Sequence, residues 1–206
     1  MKKFITLFII HCSLFIGAAH AAVDAALVRK AEQYLNAITG LDGRFSQVAN
    51  DRTDRGTFSM LRPGRVRLDY STLPVQLISN GRDLFFFDRS LDQITTVPLT
   101  STPAGILVRR NINLTNADIA VSETISNRDF FSLKMHIKGQ EGVGHMVVDF
   151  TQNPVALRSW TVVDATGLEV KVEFENMRVR TDFPRNFFEL QRHRTTAEPT
   201  GDRFFD

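Results

Sequence analysis

Short alternating segments, separated by turn residues, make up most of the sequence after residue 40. In the segment RVRLDY (65–70), apolar and polar residues alternate, which is the period of a strand with one apolar face. Turn-forming pairs such as Asn80-Gly81 join neighbouring segments, as in a tight hairpin. This spacing is typical of an antiparallel meander and excludes a regular alternation of strands and helices.

The pattern predicts a mainly β fold with about ten or eleven strands in one sheet. The predicted strands are 43–48, 56–61, 65–70, 75–79, 83–88, 93–97, 118–123, 130–138, 145–150, 157–164 and 167–175. An open sheet of this size must curl. A helix can then cover its concave face, with a cavity between the two layers.

One amphipathic helix is predicted before the first strand. Apolar residues recur at helical spacing over 24–39, Asp24 suits the N-cap position and Gly40 ends the pattern. This helix is the natural candidate to cover the sheet.

A second helical segment, TSTPAGILVRRN (100–111), lies between the two groups of strands. Thr102 suits its N-cap and Pro103 its first helical position. The apolar residues Ile106, Leu107 and Val108 follow. Because so short a helix is marginal alone, its stability must come from what it covers. We predict that it is a lid.

The first 21 residues have the layout of a cleavable secretory signal. Two lysines precede an apolar run, and the segment ends with the small-residue motif AHA. A membrane anchor is the alternative, but His11 and Cys12 interrupt the run, which falls short of the roughly 20 apolar residues of a span. We therefore predict an exported, cysteine-free single domain of residues 22–206.

The charge of the chain argues against nucleic acid as a partner. The formal net charge is +2 and falls to about zero once Lys2 and Lys3 leave with the signal segment. Arginines nevertheless cluster in two places. These clusters are either solvated strand faces or a docking surface for an acidic partner. The first cluster comprises Arg62, Arg65 and Arg67, and the second comprises Arg178, Arg180, Arg185, Arg192 and Arg194.

Catalytic and metal-binding motifs are absent from the sequence. No two of the histidines His136, His145 and His193 have the helical spacing of a metal site, although the first two could meet on neighbouring strands. The sequence contains neither a GxSxG elbow nor a GxxxxGKS phosphate loop. We predict a protein that is not an enzyme and needs no metal or cofactor.

Phenylalanine is frequent, with 17 residues against two tyrosines and one tryptophan. Phe85, Phe86 and Phe87 are consecutive, so both faces of their strand are apolar. Such residues either fill a core or line a lipid cavity, and composition alone does not decide between the two.

Several segments together resemble the LolA family of periplasmic lipoprotein carriers. They are LDGRFSQV, FSMLRPGRVRLDY, PVQLISNGRDLFFFD, LDQITTVPL and TPAGILVRRN, between about residues 41 and 110. The resemblance implies an unclosed half-barrel with a helical lid over a hydrophobic cavity. It also implies a monomeric periplasmic carrier that accepts triacylated lipoproteins from an inner-membrane ABC transporter and takes them towards the outer membrane and a receptor there.

The resemblance assigns roles to individual residues. Arg62 occupies the position of an arginine that hydrogen-bonds the lid and holds the empty carrier closed, and we expect its acceptors among the carbonyls of 108–110. The other reading of Arg62 is a solvated turn residue. The predicted cavity lining comprises Phe58, Met60, Val66, Leu68, Tyr70, Phe85, Phe87, Leu133, Met135, Val148, Phe150 and Trp160.

The chain departs from the family near its C-terminus. Gln191-Arg192 stands where relatives have a proline pair, which leaves the course of the last residues open. Two other functions share the half-barrel: a periplasmic lipid-binding or lipid-transfer protein, and a stress-sensing binding protein. The latter usually has a second domain, which we do not expect here.

Overall fold

The computed structural model describes residues 23–115 and 118–190. Helix α1 spans Ala25–Ala37. Asp24 caps it as predicted, because its carboxylate accepts hydrogen bonds from the main-chain nitrogens of Ala26 at 2.8 Å and Leu27 at 3.3 Å. The predicted signal segment and Gln191-Arg192 lie outside the described residues.

Eleven strands follow, in agreement with the sequence prediction. They are β1 Gly40–Ala49, β2 Arg52–Leu61, β3 Arg65–Tyr70, β4 Val75–Asn80, β5 Asp83–Asp88, β6 Gln93–Pro98, β7 Ile119–Ser126, β8 Phe130–Ile137, β9 Gly144–Gln152, β10 Val155–Asp164 and β11 Glu169–Val179. Two short 3₁₀ segments, Leu99–Ser101 and Pro103–Val108, separate β6 from β7, and a third spans Glu141–Val143. The segment Pro103–Val108 is called the lid below.

Strand β1 begins three residues before its predicted start. The helical pattern had been extended to Thr39, but the chain is already extended at Ile38. From Gly40 onward β1 pairs with both β2 and β11, so two ladders of hydrogen bonds outweigh a weak helical continuation.

All eleven strands form one antiparallel sheet in the order β6-β5-β4-β3-β2-β1-β11-β10-β9-β8-β7. Strands β6 and β7 are its two edges and do not pair with each other within the described residues. The sheet is therefore an unclosed barrel, as the family resemblance implied. Its first strand lies at the centre, beside its last.

Helix α1 covers part of the concave face of this sheet. It buries Val28, Ala31 and Leu35 in the same core cluster as the concave strand residues. The rings of Phe131 and Phe150 stack there with centroids 5.0 Å apart. Burial of this apolar surface is the main stabilising contribution to the fold.

The strand register corrects the prediction for Phe85 and Phe87. Leu68 pairs with Leu77, and Leu77 pairs with Phe86, so Phe86 shares the concave face. Phe85 and Phe87 point to the opposite face and do not line the cavity. Three consecutive phenylalanines contain no alternation, so only the register could decide which of them point inward.

A cluster of aromatic residues after β11 covers part of the convex face. The rings of Phe183, Phe187 and Phe188 lie 5.0 Å apart in each pair. Arg67 donates a hydrogen bond to the carbonyl oxygen of Phe187 at 2.8 Å, and its guanidinium lies 4.8 Å from that ring. Part of the predicted arginine cluster is thus used to hold the C-terminal segment.

Candidate functional site

An apolar cavity of about 330 Å³ lies on the concave face, between the sheet and the lid. Val66, Leu68, Tyr70 and Trp160 line it, as does Val108 of the lid. All five are among the site residues predicted from the sequence. The cavity has the apolar lining and the modest volume of a ligand pocket.

Eight further lining residues were missed by the sequence analysis. They are Gln47, Leu77, Leu84, Phe86, Leu99, Val162, Val170 and Val172. Val170 and Val172 alternate with polar neighbours on β11, and this alternation was the signal that could have identified them. Gln47 is polar and carried no such signal.

Six predicted lining residues lie on the concave face without touching this cavity. Between 0% and 4% of the surface of each is exposed, because the core beneath α1 and the lid encloses them. A ligand could reach them only if one of those covers moved. They are Phe58, Met60, Leu133, Met135, Val148 and Phe150.

The lid is a 3₁₀ helix that is stabilised mainly by what it covers. Thr102 caps it, since its hydroxyl oxygen accepts a hydrogen bond from the main-chain nitrogen of Gly105 at 3.2 Å. Ile106, Leu107 and Val108 are at most 2% exposed. The lid begins with Pro103, as predicted, but its backbone is tighter than an α-helix.

Arg62, the first residue of the turn after β2, connects the lid to the rest of the molecule. Its Nη2 donates to the carbonyl oxygen of Leu107 at 2.8 Å. Its Nη1 donates to the carbonyl oxygen of Leu35, near the end of α1. The lid acceptor therefore lies one residue before the expected 108–110, and the contact with α1 was not predicted because the helix and the turn are distant in sequence.

The guanidinium of Arg62 is held away from water. Its Nε atom is buried without a hydrogen-bond partner, and the described residues include no acidic group in ion-pair distance of it. Burial lowers the pKa of Arg62 to about 10. Arg62 therefore remains charged at neutral pH, and the two carbonyls are its main compensation for lost hydration.

A second hydrogen bond ties the lid to the same turn. The main-chain nitrogen of Gly64 donates to the carbonyl oxygen of Val108 at 2.7 Å. The turn between β2 and β3 thus holds two consecutive lid carbonyls, one through a side chain and one through the backbone.

The far end of the cavity is polar. The hydroxyl of Tyr70 donates to Oε1 of Gln47 at 2.6 Å. Burial, together with the negative charge of Asp54, raises the pKa of Tyr70 to about 12, so the phenol stays protonated at neutral pH. The two ends of the cavity therefore differ in chemistry.

Neither a metal site nor a membrane span emerges from the described part of the chain. No three histidine, cysteine, aspartate or glutamate side chains come together there to hold an ion. The Nε2 atom of His136 lies 3.8 Å from a carboxylate oxygen of Glu141. Among residues 23–115 and 118–190, no helix has the length and apolarity to cross a membrane.

Comparison with protein families identifies one match that covers most of the chain. Residues 36–191 match the family described as outer membrane lipoprotein carrier protein LolA. An outer-membrane lipoprotein carrier protein of Neisseria meningitidis is 24% identical over 192 residues, which is 89% of this chain and 90% of the relative. One from Pseudomonas aeruginosa is 34% identical over 118 residues, 52% of this chain and 56% of the relative.

Solved structures show more distant similarity. An uncharacterized conserved protein from Thermus thermophilus has a TM-score of 0.49 at 9% identity, over 82% of this chain and 95% of that one. A LolA superfamily protein from Nitrosomonas europaea has a TM-score of 0.41 at 14% identity, over 81% of this chain and 98% of that one.

Proposed function

Since the chain belongs to the LolA family of outer membrane lipoprotein carrier proteins, we propose that it carries lipoproteins across the periplasm by enclosing their acyl chains. The observation that supports this most directly is the apolar cavity beneath a lid held by Arg62 and Gly64. An apolar space with a detachable cover suits a ligand that must be taken up and released.

The physical chemistry of acyl chains explains why a carrier is needed. Each buried methylene contributes about 0.8 kcal/mol, so one chain of some 16 carbons has a transfer free energy on the order of 12 kcal/mol. A lipoprotein cannot leave a membrane unaided against such a cost. The carrier must offer apolar surface that replaces most of what the membrane provided.

Loading requires the cover of the cavity to move. The closed cavity of about 330 Å³ lies at the lower end of the range for ligand pockets, about 300 to 1,000 Å³. Several acyl chains need more room than that. Displacement of the lid would join the cavity to the concave surface now covered by Ile106 and Leu107, both at most 2% exposed.

The energy for extraction is expected to come from a partner. The sequence contains no phosphate-binding GxxxxGKS loop. We propose an ATP-driven transporter in the inner membrane as the donor of the cargo and a receptor at the outer membrane as its acceptor.

Arg62 is proposed to be the latch that keeps the empty carrier closed. It joins the lid to the sheet and to α1 through two carbonyl acceptors. Cargo must work against these hydrogen bonds when it opens the lid, which weakens loading and favours release. A carrier that works between two membranes needs both properties.

The function is tested by identifying the cargo. Protein purified from the periplasm should contain acylated proteins by mass spectrometry, and it should bind a fluorescent acyl probe. Val162→Glu should weaken probe binding at least about tenfold, because it places a carboxylate in the apolar cavity.

Val163→Glu is the matched control. Val163 is the next residue of β10, is similarly half-buried and points to the other face. Its substitution should leave probe binding unchanged. Free lipid alone in the purified protein would favour a lipid-transfer function, and equal loss of binding in both variants would contradict the cavity as the binding site.

A further inference from the structure

The lining of the cavity is polar at one end only. Gln47 and Tyr70 carry the lining oxygens, and they lie together. The other polar side-chain atom in the lining, the indole nitrogen of Trp160, belongs to a ring packed against Phe58 and Phe174, at centroid distances of 5.7 and 4.7 Å. Gln47 is therefore the residue to examine for a role beyond packing.

The amide of Gln47 has an unused donor. Its Oε1 atom accepts the hydrogen bond from Tyr70 at 2.6 Å. Its Nε2 makes no hydrogen bond to any described residue. Among the described residues, Nε of Arg62 is the one buried side-chain atom that lacks a partner, so Nε2 of Gln47 is unpaired without being fully buried. The nitrogen of Gln47 is thus accessible and free to donate.

Tyr70 fixes which way this amide points. The hydroxyl of Tyr70 donates to Oε1 of Gln47 at 2.6 Å, so the amide oxygen faces the phenol. The Tyr70 ring is held in place by Phe45, because the two rings pack edge to face at 84° with centroids 5.1 Å apart. The amide nitrogen is consequently turned away from the phenol.

The position of Gln47 suits the polar end of an acyl chain. Val66 and Val108 form the apolar end of the cavity beneath the lid. Tyr70 lies four residues further along β3 than Val66, about 13 Å at the rise of a strand. A hydrocarbon chain that fills this length with its methyl end under the lid brings its carbonyl to Gln47.

We propose that the side-chain amide of Gln47 donates a hydrogen bond to the carbonyl oxygen of the linkage that joins a bound acyl chain to its carrier molecule. Tyr70 is the positioning residue for this amide. The inference rests on the proposed function, because it assumes an acyl ligand in this cavity. It adds a direction of binding and a contact that recognises the linkage rather than the hydrocarbon.

Two lipids that differ only at the linkage provide the test. Monodecanoylglycerol has an ester carbonyl, and its ether analogue decylglycerol has none. A ten-carbon chain matches the roughly 13 Å between the two ends of the cavity. Binding of both can be measured through the fluorescence of Trp160, the single tryptophan of the chain. The wild-type protein should bind the ester about 2- to 13-fold more tightly, the range for one hydrogen bond.

Gln47→Met removes the donor and keeps similar volume. It should remove the preference for the ester, so that the ester and the ether bind with about equal affinity. Tyr70→Phe should reduce the ester-to-ether affinity ratio, and this variant tests the inference again if Gln47→Met fails to fold. Ser46→Ala, on the opposite face of β1, should change neither affinity.

The outcomes separate the inference from the proposed function. Equal binding of ester and ether by the wild type would overturn the inference while leaving an acyl carrier intact. A preference for the ester that survives in Gln47→Met would also overturn it, as would parallel loss of both lipids in that variant. Binding of neither lipid by the wild type would instead count against the proposed function.

Discussion

Replacement of Arg62 by leucine is the sharpest test of how the lid is held. The change removes the hydrogen bond from Nη2 to the carbonyl oxygen of Leu107 and the bond from Nη1 to that of Leu35. It leaves the backbone bond from Gly64 to Val108 in place. The variant should therefore have a lid that is still folded but opens more often.

The size of the effect follows from two opposing contributions. A hydrogen bond to a charged group contributes roughly 1.5 to 3 kcal/mol. Burial of the guanidinium, which lowers its pKa to about 10, costs part of this because an open lid returns the charge to water. A net bias of about 1 to 2 kcal/mol towards the closed state remains, which corresponds to a population ratio of about 5- to 30-fold.

The amide proton of Gly64 is a direct reporter of lid opening. Its nitrogen donates to the lid carbonyl of Val108 at 2.7 Å, so its hydrogen exchange requires that contact to break. In Arg62→Leu the protection factor of this amide should fall about 5- to 30-fold. Affinity for an acyl probe should rise by the same factor, because the ligand no longer works against the latch.

Arg82→Leu is the control for this measurement. The Arg82 side chain is 91% exposed and, among the residues that the structure describes, pairs only with its neighbour Asp83, so its loss should change neither quantity. If Arg62→Leu leaves Gly64 protection and probe affinity at their wild-type values, Arg62 does not hold the lid and the latch is wrong. Delivery to outer-membrane vesicles should slow in the same variant, with loaded carrier accumulating.

Two further predictions concern the lid and the centre of the sheet. Leu107→Glu should lower recovery of acylated cargo roughly tenfold or more, because it brings a carboxylate against apolar walls. The strand signal in circular dichroism should stay, and the control Arg110→Glu, at an exposed position, should have no effect. Normal recovery in Leu107→Glu would place Leu107 in solvent. Asp42 accepts hydrogen bonds from Arg178, chiefly, and Arg180, which hold its pKa below the usual 3.8. The stability that Asp42 contributes is present above about pH 4 and is lost as the pH falls through its lowered pKa in the folded protein. Asp42→Asn should therefore lower the free energy of unfolding by about 1 kcal/mol at pH 7 and lose less stability in acid than the wild type. Urea titrations at both pH values measure this, and parallel pH profiles of the two proteins would contradict it.

Local patterns in the sequence predicted the elements of the fold well. Strand β3 shows why, since its alternation is unbroken and both its bounds match the prediction. Strand β5 shows the limit, because Phe85, Phe86 and Phe87 contain no alternation and only pairing with β4 orients them. Pairing partners are a property of the assembled sheet, which a reading of one segment does not contain.

The site was less predictable than the fold for the same reason. The lid could be predicted from its capping residues, and the position of Arg62 followed from the family resemblance. The acceptor at Leu35 could not, because α1 and the turn after β2 meet only once the sheet has curled. Gln47 was passed over because a glutamine at an inward position is recognised only when its partner, Tyr70, is seen beside it.

The place of β1 at the centre of the sheet has a consequence for how the chain folds. Nine of the ten strand pairings join strands that are consecutive in the chain, and the tenth joins β1 to β11. Asp42 and Arg178, which meet across that pairing, are 136 residues apart. The two meanders can therefore form as local hairpins, whereas their union requires closure of a very long loop.

We expect that union to be the slow step of folding. Until β11 arrives, the free side of β1 is an unpaired edge whose apolar residues, among them Leu41 and Phe45, are open to other chains. A chain that emerges N-terminus first exposes this edge for as long as its second half is missing. Because of this topology, nascent β1 must be protected from aggregation until β11 has been synthesised and paired with it, before any cargo is bound.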